Sequence, residues 1–403
     1  MISPKIRFPE FQDEYERNTL SDVSDRIRRK NSENQTDVPL TIASIEGLVD
    51  QRTYFGKTIA SKDMSNYYLL KNGEFAYNKS YSKGYPVGSI KRLDKYEQGA
   101  LSTLYICFSL KPDVNVTSDY LVQYFNSPAW YEAVNEVCAE GARNHGLLNV
   151  SPDNFFATEH YFAPTIEEQN KIVKLLSLYD KKIELQASKV KALEERRTGL
   201  LQQIFSQKLR FSNRDKDFPD WEERPLSDIL TEYKEKCENN GTFEHVSLTK
   251  EGVVPKTDRY NREHLVTHDN KVYRVTHIDD ICYNPANLKF GVICRNKYND
   301  AIFSPIYVTF KVNEGYLPGF VERLVVRNEF IVDALQFQEG SIYERMAVSP
   351  ENLLSMRVSV PSMPEQKKIS TLFDAIDKQI QIEKDKLEAI KLVKKGLLQQ
   401  MFV

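Results

Sequence analysis

Residues 164–205 read PTIEEQNKIVKLLSLYDKKIELQASKVKALEERRTGLLQQIF, and residues 361–402 read PSMPEQKKISTLFDAIDKQIQIEKDKLEAIKLVKKGLLQQMF. They align without a gap, and about two positions in five are identical, which marks a duplicated unit. Each stretch follows a proline, Pro164 or Pro361, and carries acidic residues where a helix dipole favours them. In the first, Ile172, Leu176, Tyr179, Ile183, Val190, Leu193, Leu200 and Ile204 keep an alternating 4-3 rhythm. In the second, Ile369, Phe373, Ile376, Ile380, Leu387, Ile390, Leu397 and Met401 repeat it. Only Gln186, Arg197, Glu383 and Lys394 break these seams with polar groups. The spacing predicts two helices of roughly 60 Å each, since about 40 residues rise 1.5 Å apiece. A rod of that length with an apolar seam needs a partner, and each rod can serve the other as an antiparallel coiled coil.

The duplication extends outward from the rods. LNVSPDNFFA at 148–157 matches MAVSPENLLS at 346–355, FAYN at 75–78 matches ICYN at 281–284, and YERNTLSDV at 15–23 matches WEERPLSDI at 221–229. Strand-like runs such as STLYICFSL and SPIYVTFKV alternate with turn signals and helical stretches such as SDYLVQYFNSPAWYEAVNEV. The expected fold is therefore α/β, with two mixed α/β domains separated by two long helices packed as an antiparallel coiled coil. The expected segments are a domain at 1–163, a helix at 164–207, a domain at 208–360 and a helix at 361–403. Charge matching suggests a register with Arg197 opposite Glu383, Gln186 opposite Lys394, Ile183 opposite Leu397 and Val190 opposite Ile390. A shift of one heptad competes with it and sets Glu383 against Val190 and Arg197 against Ile376.

Composition narrows the function classes. The chain has 403 residues, 41% apolar and 28% charged, with a formal net charge of −2. That balance suits a folded protein and disfavours indiscriminate coating of nucleic acid, while leaving room for local basic surfaces. No uncharged apolar run reaches the roughly 20 residues of a membrane span, and MISPKIRFPEF lacks the order of a signal peptide, so a cytoplasmic location is expected. The five cysteines, Cys107, Cys138, Cys237, Cys282 and Cys294, form no C-x-x-C pair. His264 and His268 have the i, i+4 spacing of a metal pair, but NREHLVTHDNK reads as strand and turn.

With the duplicated order established, the sequence resembles the specificity subunits of type I restriction-modification systems along nearly its whole length. PTIEEQNKI and PSMPEQKKI resemble that family's proline-x-x-x-E-Q helix start, and GARNHGLLNVSPDNF resembles its glycine-led loop and L-N-x-x-x-F approach. The second copy departs at GSIYERMAVSPENL, where Met346 and Ala347 replace Leu148 and Asn149. The resemblance implies a non-catalytic subunit with two target-recognition domains that reads a bipartite double-stranded DNA site, one half per domain. It further implies recruitment of two methyltransferase subunits and two motor-nuclease restriction subunits, and no membrane. S-adenosylmethionine, ATP and magnesium belong to those partners, so no cofactor is expected on this chain.

Loop chemistry supplies the candidate readers. YNKSYSKGYPVGSIKR at 77–92 mixes amides, hydroxyls, lysines and aromatics, the groups that hydrogen-bond base edges in a groove. Its duplicate YNPANLKFGVICRNK at 283–297 keeps amides and cations but differs in detail, as two different half-sites require. The candidate DNA-binding residues are Asn78, Lys79, Tyr81, Lys83, Tyr85, Lys91, Arg92, Arg143, Asn144 and His145 in the first copy. In the second they are Asn284, Asn287, Lys289, Arg295, Lys297, Tyr343 and Arg345. The LLQQ helix endings make Leu200, Gln202, Gln203, Leu397, Gln399 and Gln400 candidate partner-docking residues. Tyr120, Tyr124, Trp130 and Tyr131 read as packing residues rather than a stacking platform, and Lys181, Lys182, Lys189 and Lys191 as a solvated helix face. Two enzymatic readings compete. YNPAN superficially resembles an adenine-methyltransferase loop but lacks its second proline and its aromatic, and Pro219, Asp220, Glu232 and Lys234 resemble a nuclease set without the apolar flanks of a catalytic strand. A coiled-coil scaffold carrying protein-binding modules is the non-enzymatic rival.

Overall fold

Two helices dominate the chain, Ile166–Phe205 and Met363–Gln400, as the two periodic stretches predict. The structure is a computed structural model that describes residues 2–57, 59–82, 84–138, 148–213, 216–238, 241–256, 272–340 and 346–403. The chain divides into two compact units, residues 1–188 with 384–403, and residues 189–383. These cut across the expected segments because each long helix gives one half to each unit.

Each unit builds the same scaffold. In the first, an antiparallel sheet runs in the order Ser24–Arg26, Ile106–Leu110, Phe75–Asn78, Ser89–Arg92. In the second the order is Leu230–Tyr233, Val308–Val312, Ile281–Tyr283, Ile293–Arg295. Short helices cover one face, with Ser118–Asn126, Tyr131–Val137 and Pro152–Phe156 matched by Pro318–Val325, Asn328–Leu335 and Pro350–Ser355. The repeated Ser-Pro starts the last of each set. Ser151 Oγ accepts the amide of Asn154 and Ser349 Oγ that of Asn352, each at 3.1 Å, while proline fills a position that needs no N–H. Tyr120, Tyr124 and Trp130 are buried in the first core, as their packing reading predicts, and Ile172 and Leu176 of the long helix join them.

The proline-x-x-x-E-Q stretches seat the helices on the sheets. Gln169 is fully buried; its Oε1 accepts the Thr117 amide at 2.8 Å, and its Nε2 donates to the carbonyls of Asn115 and Ala163 at 2.8 and 2.9 Å. Gln366 does the same with the Leu317 amide at 3.0 Å and the Gly315 and Pro361 carbonyls at 3.4 and 3.0 Å. Beside them, buried Glu168 accepts two bonds from Arg7 at 2.7 and 2.8 Å, and buried Glu365 takes Arg210 at 2.9 Å. The two arginines sit in KIRF at 5–8 and KLRF at 208–211, a repeat visible only once the structure aligns them. The backbone agrees: Ile6 N–H donates to the Gln400 carbonyl at 2.9 Å, as Leu209 N–H donates to that of Gln203 at 3.1 Å.

In both units the helix halves run antiparallel, but the charge-matched register is wrong. In the first unit Lys394 pairs with Asp180. In the second, Arg197 meets Asp377 at 2.5 Å and Lys189 meets Glu383 at 3.0 Å. These pairs fit the register shifted by one heptad. The assumed penalty of charge against apolar neighbours is avoided because seam cations and carboxylates reach sideways to flanking residues, keeping their apolar stems on the seam. The pairs Asp180–Lys394 and Asp377–Arg197 occupy repeat-equivalent positions, so one contact is used in both units.

Paired cysteines at Ile183 and Ile390 should form a disulfide under mild oxidation, whereas cysteines at Ile183 and Leu397 should not; the reverse result on non-reducing gels rejects the register. Gln366→Leu should lower the unfolding free energy by more than about 2 kcal/mol, because several buried backbone groups lose partners worth about 1–3 kcal/mol each. Exposed Gln399→Leu should change urea denaturation little.

Candidate nucleic-acid interface

Each sheet ends in a hairpin whose loop leaves the core. In the first unit Phe75–Asn78 pairs with Ser89–Arg92, and the intervening loop returns through Gly88 at φ +81°. A Cβ at Gly88 would stand 2.0 Å from the Asn78 carbonyl oxygen, so only glycine closes this hairpin. Asn78 Oδ1 accepts the Ser80 amide at 3.0 Å, Lys79 donates to the Val150 carbonyl at 3.3 Å, and Ser82 and Tyr85 form a bridge. Tyr81 projects from this loop with 61% of its surface exposed. Lys83, Arg143, Asn144 and His145 lie outside the described residues.

In the second unit the hairpin of Ile281–Tyr283 and Ile293–Arg295 is joined by a short 3-10 turn, Pro285–Phe290. Buried Asn284 caps it through the Ala286 amide at 3.1 Å, and Asn287 N–H donates to the Asn284 carbonyl. Lys289 is exposed beside Phe290, itself 62% exposed. Tyr343 and Arg345 lie outside the described residues.

The other cations are already engaged. Lys91 donates to Asn126 Oδ1 at 2.7 Å, and Arg92 meets Asp94 at 2.7 Å and Asp119 at 2.8 Å. Lys297 meets Glu322 at 2.7 Å, and Arg295 lies between Asp279 at 3.2 Å and Glu322 at 3.8 Å. Glu322 also binds buried Arg323, which bridges to Asp374 and Asp377 on the second long helix. A cation must leave its partner before gripping a base or phosphate, so among the described residues the outward aromatic and cationic groups of the two loops are Tyr81, Lys289 and Phe290. Phe290 was missed from sequence; its signal was an aromatic between Lys289 and Gly291 in a loop. Of the helix endings, Leu200 and Leu397 pack on the two cores, whereas Gln202, Gln203 and Gln399 face outward, and Gln400 bonds the Gly396 carbonyl at 3.1 Å.

The residues of the two catalytic rivals have other partners. Tyr283 of YNPAN is buried, stacked on Phe310 and hydrogen-bonded to the Val348 carbonyl at 3.0 Å, so it cannot stack on an extruded base. Glu232 lies beside Arg274 at 3.4 Å and Lys234 at 3.6 Å, while Asp220 is fully exposed beside Arg210. Among the described residues no three His, Cys, Asp or Glu side chains gather as metal ligands, and His264 and His268 fall outside them. Nor is any described helix long and apolar enough to cross a membrane.

A family model described as the type I restriction modification DNA specificity domain matches residues 334–392, from the end of the second domain into its long helix. A relative from Methanocaldococcus jannaschii, named as the specificity subunit of the type I restriction enzyme MjaX, is 19% identical over 98% of this chain and 94% of its own length. The crystal structure of a type I restriction-modification S subunit from M. genitalium superposes with a TM-score of 0.54 at 14% identity, covering 100% of this chain and 99% of that one. A chain from a structural study of complex assembly and conformational transition of the type I R-M system reaches 0.60 at 12% identity, covering 96% and 97%. The two solved structures carry the fold.

One titrating group braces the second domain. His277 lies between Glu235 and Asp300, with Nε2 and Nδ1 each 3.0 Å from a carboxylate oxygen, and its ring faces Tyr233. The hydrogen bond to Glu235 leads in raising the imidazole pKa, aided by Asp300, against the lowering effect of burial. The folded protein thus holds this proton more tightly than the unfolded chain. The contribution is fully present below the ordinary histidine value of about 6.5 and is lost as pH rises through the higher folded value. Hydrogen exchange at the Ile278 amide, which donates to Asp300, should quicken beyond its intrinsic pH dependence above about pH 6.5. His277→Gln should remove that excess.

Proposed function

We propose that the chain is a specificity subunit of a type I restriction-modification system, a non-catalytic subunit reading a bipartite DNA site, one half-site per hairpin-bearing domain. The observation that carries this reading is duplication with divergence. The sheets, Ser-Pro helices and glutamine seats recur, while the loops they hold differ, Tyr81 in one and Lys289 with Phe290 in the other. Rigid scaffolds with interchangeable loops suit direct readout, where phosphate contacts position the protein and base edges specify.

In this reading Asn78, Lys79, Tyr81, Lys83 and Tyr85 address the first half-site, with Arg143, Asn144 and His145 in support. Asn284, Asn287 and Lys289, with Tyr343 and Arg345, address the second. Arg92, Arg295 and Lys297 act mainly by setting hairpin position through their carboxylate partners. The outward amides Gln202, Gln203 and Gln399 recur at the helix endings and offer similar docking surfaces to two copies of one methyltransferase subunit. Two motor-nuclease subunits complete the complex; adenine methylation with S-adenosylmethionine belongs to the methyltransferase subunits and ATP-driven cleavage to the motor-nuclease subunits.

Mapping methylated adenines in cells that express the chain with its methyltransferase subunit tests this. The map should show one bipartite motif. Exchanging residues 1–163 for those of another specificity subunit should change one half, and Lys289→Ala should relax only the other, by about 1–3 kcal/mol if its ammonium holds a base edge. Absence of DNA binding by a folded chain favours the protein-binding scaffold instead.

A further inference from the structure

The first unit contains a cleft of about 480 Å³ between its hairpin loop and the paired helix segments. Gly84 and Tyr85 of the loop form one wall, and Lys391, Lys394 and Lys395 of the second long helix form another. Lys91 lies beside it, half-buried against Tyr85 and bonded to Asn126, which also lines the cleft. Four lysines thus converge against two carboxylates, the lining Asp180, paired with Lys394, and Glu388, paired with Lys391 at 2.7 Å. Burial first, and then repulsion from the neighbouring Lys394, push the Lys91 ammonium down to about 8.

The second unit does not repeat this. Its equivalents of Lys394 and Asp180 are Arg197 and Asp377, but those of Lys91, Lys391 and Lys395 are Cys294, Glu194 and Thr198. Arg323 inserts there instead, joined to Glu322, Asp374 and Asp377, so its cations meet a matching set of carboxylates. The excess positive charge belongs to one unit.

We propose that this lysine cleft binds a backbone phosphate of duplex DNA, anchoring the first half-site through a contact that the second lacks. The inference rests on the DNA-reading function proposed above. Tyr85 on the rim and exposed Tyr81 belong to the same loop, so a duplex engaged by that loop carries its sugar-phosphate backbone past the cleft mouth. Lysines on flexible stems act as point charges for phosphate without reading sequence. Because the chain's net charge is −2, attraction for DNA must come from such local sites.

The test is fluorescence anisotropy of the full chain with a mixed-sequence duplex over a range of salt concentrations. Lys391→Gln/Lys395→Gln should flatten the dependence of log affinity on log salt by about 1 to 2, at about 0.9 per phosphate. Lys191→Gln, on an exposed helix position paired with Glu195, should leave it unchanged. Asp180→Asn, which frees Lys394 from its carboxylate, should steepen it. If the parent chain binds and the double variant, with unaltered thermal unfolding, keeps the parent slope, the cleft holds no phosphate and the proposal falls while the DNA-reading function stands. The proposal falls in the same way if the double variant loses only the methyltransferase subunit, which would make the occupant an acidic protein segment. If the folded parent binds no duplex, the DNA-reading function falls too.

Discussion

A buried side-chain amide decides how each domain meets its rod. Gln169 and Gln366 each accept one backbone N–H and donate to two carbonyls from separate segments, leaving little freedom at the helix start. A glutamine suits this because one planar group offers both acceptor and donors, whereas a glutamate would present oxygens to carbonyls. The preceding glutamate adds a buried ion pair to an arginine. Such a pair contributes little net stability in general, but breaking it strands a charge, so it penalises any other seating. The hairpin on each sheet inherits its position from this joint.

Periodic features were legible in the sequence. The rods, the duplicated order and the mixed α/β domains follow from spacing and repetition, and the buried Tyr120, Tyr124 and Trp130 follow from helical amphipathicity. The helix register was not legible, because the seam alone does not decide it. Arg197 and Glu383 take partners from flanking positions, Asp377 and Lys189, which a seam-only comparison never weighs. Arg295 and Lys297 looked like free cations because their carboxylate, Glu322, lies on a helix some way along the chain. The KIRF and KLRF repeat escaped notice because its first copy is separated in sequence from the helix ending it accompanies in space.

The two units also show where a duplicated scaffold can diverge. Positions bonded to backbone in both copies kept their chemistry: the glutamines, the capping serines, and Tyr77 and Tyr283, whose hydroxyls meet the Val87 and Val348 carbonyls. Some positions meeting side chains drifted in sets, although the Glu168–Arg7 and Glu365–Arg210 pairs did not. Gln123 of the first unit corresponds to Arg323 of the second, and Glu322 and Asp374 beside Arg323 stand where the first unit has Val122 and Ser177, while Asp377 matches Asp180. A buried guanidinium is tolerable only with its carboxylates, so such positions change together or not at all.

The arm at residues 5–8 has a topological consequence. Its contacts with the end of the second long helix and with Glu168 duplicate those that residues 208–211 make after the first long helix. In one unit a covalent linker delivers the arm to its place; in the other the same place is found by a segment arriving from the opposite end of the sequence. The same joint is thus made once by a continuous stretch of sequence and once by two distant stretches. Linear order is then a property of the gene rather than of the packing.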